Sequence, residues 1–276
     1  MAEVTAAAVK ALRDQTDMPM MMCKQALTEA GGDMNQAVEI LKEKAGKRLE
    51  KRTDNATEEG RIFVKVAEGG TRAAMVEVQC ESAPVASGEH LAGLGNGLVE
   101  QLLNGPGAAS VDELLSQSAG DETYKQQLES LGNKIQEKMV VNRIVRLEGP
   151  VGSYVHHDGK TASLFQADGQ PKSLDVQRDV AMHVAAMQPA VTNVADVDQK
   201  LVADERAKLV AEAKASGKPD NIVDKIVDGR MKTFYRDEAG VLVEQPFAKD
   251  DTKSVGEVLK AAGCGAKSFV LWRVGK

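Results

Sequence analysis

The sequence predicts an α+β protein with a three-helix N-terminal domain, a two-part core of helices and antiparallel strands, and an antiparallel helical hairpin inserted in the second part. Three observations carry this expectation. Over the first 55 residues apolar positions recur at helical spacing between helix-start and helix-stop residues. Beyond them the apolar period drops to two, and strand-like runs alternate with helical ones in two successive rounds. Two charge-rich helical stretches then flank Gly217-Lys218-Pro219.

Taken in order, Thr5 is a cap for the first helix, with Val4 and Val9 placed as a hydrophobic staple. Pro19 suits the opening of a second helix that Gly31-Gly32 ends, and Asp33 caps a third, with Gln36 at the capping-box position and Ala37, Ile40 and Leu41 on one face. The charged stretch from Lys42 to Glu59 reads as helix end and linker, which gives a first domain of 1–55. Arg61 to Ala67 and Arg72 to Cys80 read as a hairpin turning at Gly69-Gly70. Helices near Glu89 to Leu103 and from Asp121 to Val141 complete a first α+β unit, 56–140. In the second unit, 141–276, Val141 to Leu147 and Thr161 to Ala167 look like paired strands, and Leu174 to Met187 is a helix closed by Pro189. The hairpin occupies about 197–231, with Leu201, Leu209, Ile222 and Ile226 as candidates for its seam. A helix from Val255 to Ala262 and a strand from Ser268 to Val274 return to this unit.

Composition narrows the function. A net charge of -6 opposes a general nucleic-acid binder, which needs a surplus of Lys and Arg on one face, so no direct nucleic-acid partner is expected. No apolar run approaches the ~18 residues of a membrane span, and the start lacks the basic region of a signal peptide, so a cytoplasmic protein without a membrane partner is expected. The three widely spaced cysteines, Cys23, Cys80 and Cys264, fit reduced thiols in that compartment.

Candidate chemistry reduces to decoys. Asp158-Gly159-Lys160-Thr161 ends like a phosphate-binding loop, but Tyr154 stands where that loop needs glycine and a strand-like run follows, so a hairpin turn is the expectation. Gly93-Leu94-Gly95-Asn96-Gly97 lacks the preceding strand of a dinucleotide fingerprint and reads as an irregular or loosely helical surface stretch. His156-His157-Asp158 would not converge on one ion, because strand neighbours point to opposite faces. No enzyme, cofactor or metal site is expected. Two segments stand out from a bland fold. Met18, Met20, Met21 and Met22 exceed what one buried stripe takes, which leaves both core packing and an adaptable binding face open. Ser82-Ala83-Pro84-Val85 leaves the sheet after Cys80 as a small apolar knuckle, because proline cannot continue a paired strand.

Leu12-Arg13 to Thr16, Met20-Met21, Cys23 to Ala30 and Gly32-Asp33 form one signature. Glu77 to Ser82 with Val85-Ala86, and Glu148-Gly149 with Gly152 to Tyr154 and His156, form two more. Ala181 to Ala186 with Pro189, Ser216 to Pro219 with Gly229 to Lys232, and Gln245-Pro246-Phe247 complete a series that in order and spacing resembles the elongation factor Ts family. The resemblance implies an N-terminal domain of the ubiquitin-associated type, a two-part α+β core and the helical hairpin. It implies a non-enzymatic guanine-nucleotide exchange factor in translation elongation whose partner is elongation factor Tu. By position, Arg13, Met20, Met21 and Lys24 would grip the partner's nucleotide domain. Ser82, Ala83, Pro84 and Val85 would wedge beside the nucleotide and displace Mg²⁺, and His156 would touch the partner elsewhere. Ala83-Pro84 stands where the family typically carries Asp-Phe, and Met22 replaces an acidic residue and would extend the apolar face. Hairpin and core could mediate a homodimer in a two-plus-two complex. The alternative is a ubiquitin-associated-like adaptor that binds without promoting exchange.

Overall fold

Residues 4–216 and 219–276 are described in the computed structural model. The chain is α+β and divides into two compact units, one of residues 1–63, 76–144 and 274–276, the other of 64–75 and 145–273.

The first unit opens with three helices, α1 (Ala6–Thr16), α2 (Met20–Glu29) and α3 (Met34–Glu50). Their caps are those the sequence offers: the Thr5 hydroxyl accepts the Ala8 N–H, and the Asp33 carboxylate accepts the Gln36 N–H at 2.9 Å. Val4 and Val9 both join the bundle core, as a staple requires. Leu12, Cys23, Ala26, Leu27, Ala37, Leu41 and Ala45 form that core. The third helix does not stop near Lys42. The stripe Ala37, Leu41, Ala45, spaced four residues apart, carries it to Glu50, hidden among charges because each turn contributes one small or apolar side chain.

Next come β1 (Glu59–Val66) and β2 (Arg72–Cys80), joined by a tight turn whose Gly69 and Gly70 both take positive φ. A one-turn helix α4 (Ala83–Ala86) follows, then α5 (Glu89–Asn104), α6 (Val111–Leu115), the two-residue strands β3 (Ser118–Ala119) and β4 (Glu122–Thr123), α7 (Tyr124–Ile135) and β5 (Met139–Glu148). The segment expected as one helix from Asp121 to Val141 is therefore strand, helix and strand. Thr123 caps α7 with a full capping box, and Gln136 at φ 63° ends it. The glycine-rich run 93–97 is corrected too. It is regular helix within α5, and Gly95 faces the core, where a Cβ would run into the Phe63 ring of β1.

The remaining elements are β6 (Val151–Val155), β7 (Thr161–Gly169), α8 (Leu174–Met187), α9 (Gln199–Ala215), α10 (Asp220–Thr233), β8 (Pro246–Phe247), β9 (Asp250–Ser254), α11 (Val255–Ala261) and β10 (Cys264–Arg273). Strand order is β1-β2-β5 in one sheet and β10-β7-β6 in another. The expected pairing of 141–147 with 161–167 is thus wrong: β5 lies beside β2, and β7 pairs antiparallel with β6 and β10. In β6 and β7 the turn at Asp158-Gly159 is a hairpin, closed by Gly159 N–H to the His156 carbonyl at 2.8 Å, so no phosphate-binding loop forms. Helix α8 packs on this sheet, the Ser163 hydroxyl donating to the Ala181 carbonyl at 2.6 Å.

Helices α9 and α10 pack against each other as the expected hairpin; Gly217 and Lys218 lie outside the described residues. The seam differs from expectation. Leu209, Ala213, Val223, Val227 and Met231 fill it, Ile226 is half-buried, and Leu201 and Ile222 face outward.

Candidate functional site

Helix α2 sorts its methionines by the 3.6-residue period. Met22, Cys23, Ala26 and Leu27 point into the bundle, while Met20 and Met21 stand 44% and 64% exposed on the opposite side. Lys24, one turn beyond Met20, is exposed with them. Met18 is core. Met22 is buried as well and does not extend the apolar face; its sulfur lies 3.7 Å from Arg48 Nη1. Arg13 lies on the last turn of α1, exposed, and neither Arg13 nor Lys24 forms an ion pair among the described residues. The outcome is two adjacent flexible thioethers in the same bundle as two unneutralised cations, a chemistry suited to an apolar surface with acidic margins.

The Ser82–Val85 segment is an exposed knuckle, as expected, built as a helical turn. Ser82 is the N-cap and Pro84 the second helical residue, where a missing N–H leaves no bond unmade. Ala83 and Pro84 are exposed, Val85 is half-buried and Ala86 anchors the turn in the core. The residue before it, Glu81, is held firmly. Its carboxylate accepts the Lys138 N–H at 2.6 Å, Asn55 Nδ2 at 2.6 Å and Arg52 Nη1 at 2.8 Å. Burial pushes this carboxyl up, but hydrogen bonds from Lys138, Asn55 and Arg52 outweigh it and hold it below the usual carboxylate range. Sequence reading missed these partners because they lie 26 to 57 residues away.

In the second unit His156 is half-buried in the β6–β7 turn, past the end of the strand, with Nδ1 3.1 Å from the Tyr154 hydroxyl. The His157 ring leans on it at 4.3 Å between centroids. Among the described residues no group of His, Cys, Asp or Glu is placed to hold a metal ion. Among the described residues the three cysteines form no disulfide; burial pushes the Cys23 and Cys264 thiols up, away from reactive thiolate. Two of the sequence signatures meet inside this unit. His183 is fully buried, its Nδ1 accepts the Ala248 N–H at 3.1 Å, and its Nε2 lies 3.0 Å from the Gln245 side-chain oxygen. One nitrogen accepts and the other donates, so the ring is neutral, and burial lowers its pKa accordingly. This histidine ties α8 to the 245–248 segment and faces no partner.

The sequence model of the family described as Elongation factor TS matches residues 81–276, more than half of the chain. The chain belongs to the elongation factor Ts family. It is 40% identical to an elongation factor Ts of Arthrobacter over 282 residues, covering the whole of both chains. An elongation factor Ts of Azoarcus is 39% identical over 278 residues, all of this chain and 92% of the relative, and one of Thiobacillus denitrificans is 38% identical over 280 residues, all of this chain and 93% of its own. Membership makes the protein a translation elongation factor. The match to whole relatives extends the family likeness to the N-terminal bundle, which lies outside the family model. No described helix is long and apolar enough to cross a membrane.

Proposed function

We propose that the protein is a guanine-nucleotide exchange factor for elongation factor Tu, acting in the cytoplasm without covalent chemistry. The observation that carries this reading is the presence, in one compact unit, of an exposed methionine pair in a bundle that also exposes Arg13 and Lys24, and of an exposed knuckle that opens on proline. Arg13, Met20, Met21 and Lys24 grip the nucleotide domain of the GTPase. Ser82, Ala83, Pro84 and Val85 press beside the nucleotide site and dislodge Mg²⁺, and His156 makes a further contact from the second unit. On this reading 1–55 is a domain specialised for the grip, and 56–140 and 141–276 are the two parts of the core.

Exchange then follows from linkage. GDP is held through its phosphates and a bridging Mg²⁺, so a partner that distorts the phosphate loop weakens the nucleotide, and the nucleotide weakens the partner equally. Each tenfold loss of GDP affinity corresponds to about 1.4 kcal/mol of coupling. With Ala83-Pro84 at its tip the knuckle has neither a carboxylate nor an aromatic ring at those positions, and Pro84 acts by rigidity, its φ fixed before contact. The test is release of labelled GDP from elongation factor Tu. The wild-type protein accelerates it, and Pro84→Gly, which loosens the turn, slows release several-fold; a glycine variant as fast as wild type refutes the wedge. Binding without any release refutes exchange and favours an adaptor.

A further inference from the structure

Within the first unit, the two proposed contact elements are tied to one short segment. Helix α7 ends at Ile135, and the left-handed Gln136 turns the chain into β5. Lys134 reaches the Asp17 carboxylate at 3.1 Å, just past the end of α1, and Gln136 Oε1 accepts from Arg48 of α3 at 3.5 Å. The Glu137 carboxylate accepts the Ser82 hydroxyl at 2.7 Å, at the base of the knuckle. Lys138 donates its N–H to Glu81 and its ammonium to the carbonyls of Thr53 and Asn55, at 2.6 and 3.0 Å.

These links differ in strength. The Lys134–Asp17 pair is largely in water and contributes little. Glu81 is different. Its side chain is only 15% exposed, and three donors converge on it, two from the linker after α3 and one from Lys138, the residue before β5. It also sits immediately before Ser82. A residue serving only the sheet would have no reason to bind the linker, and one serving only the linker would have no reason to bind Lys138.

We propose that Glu81 is a positioning residue for exchange: by fastening the 52–55 linker and the Lys138 N–H at the base of the knuckle, it presents the Met20-Met21 face and the Ser82–Val85 turn as one preset surface. The inference rests on the exchange reading above. With the clamp closed, a GTPase that engages the methionine face already meets the knuckle in register. With it open, the knuckle must find its place through a loose linker, and its effective concentration falls.

The experiment uses the full chain with Glu81→Gln, which keeps an acceptor for Lys138 but turns an amide N–H₂ toward Arg52 and Asn55. A second variant, Arg52→Ala with Asn55→Ala, removes the linker side of the clamp and leaves the Glu81–Lys138 bond untouched. Labelled-GDP release is followed across a range of factor concentrations. Both variants are expected to lower the maximal release rate about tenfold, while the half-saturating concentration, set mainly by the methionine grip, changes less than about threefold. An unchanged maximal rate in folded protein overturns the proposal. So does a loss of rate that only tracks a lost folded fraction, or a loss confined to affinity. If Glu81→Gln does not fold, the linker variant alone decides. A wild-type protein that releases no GDP overturns the exchange reading, and this inference with it.

Discussion

The N-terminal bundle and the helical hairpin are both all-helical and rich in charge, yet they treat their outer surfaces in opposite ways. In the hairpin the charges satisfy one another: Arg206 pairs with Asp228 and Arg230 with Glu212 across the two helices, at 2.8 and 2.7 Å. Its exposed apolar residues, Leu201 and Ile222, each stand near the start of a different helix and form no common patch in an antiparallel pair. In the bundle the exposed apolar residues are adjacent, Met20 and Met21, and Arg13 and Lys24 form no ion pair among the described residues. The hairpin's two exposed apolar side chains stand apart, whereas the bundle's two stand side by side. That difference, more than helix content or charge, marks where a partner is to be sought.

The comparison is broken most strongly at the seam. Met231→Ala removes a side chain that is 2% exposed in the hairpin core and is expected to lower stability by about 2–5 kcal/mol, read by denaturant unfolding; a change below half a kilocalorie would mean the seam does not hold the pair. Replacing Met20 and Met21 together by Ala should do the reverse. Stability stays within about 0.5 kcal/mol, since both are exposed. Affinity for nucleotide-free elongation factor Tu falls at least tenfold, about 1.4 kcal/mol, and titration calorimetry showing equal affinities would remove the bundle from the interface. The smallest effect is expected at Arg230→Ala, whose ion pair lies in solvent and contributes about 0.2–1 kcal/mol at most. A larger loss in thermal unfolding would show that the cross-helix charges hold the hairpin as firmly as its core does.

Much of the fold was legible because its boundaries are written locally. Thr5, Asp33 and the glycines after Glu29 mark helix ends with their own side chains or their freedom at positive φ, and each acts as read. What failed was non-local or masked. No residue of β5 announces that it lies beside β2 and not β7, since pairing is decided by the packing of distant elements. The end of α7 was hidden because Gln136, not glycine, takes the left-handed turn. At the candidate site the four methionines were an ambiguous cluster until the helix phase was known; α2 starts at Met20, and that phase buries Met22 and exposes Met20 and Met21. Glu81 could not be recognised, because a carboxylate at a strand end acquires its meaning only from Arg52, Asn55 and Lys138 folding onto it.

The decisive measurement is a direct titration of the intact protein against elongation factor Tu, once emptied of nucleotide and once loaded with GDP and Mg²⁺. An exchange factor must hold the empty form more tightly, by the same factor with which it loosens GDP. Equal dissociation constants for the two forms would contradict the account at its root.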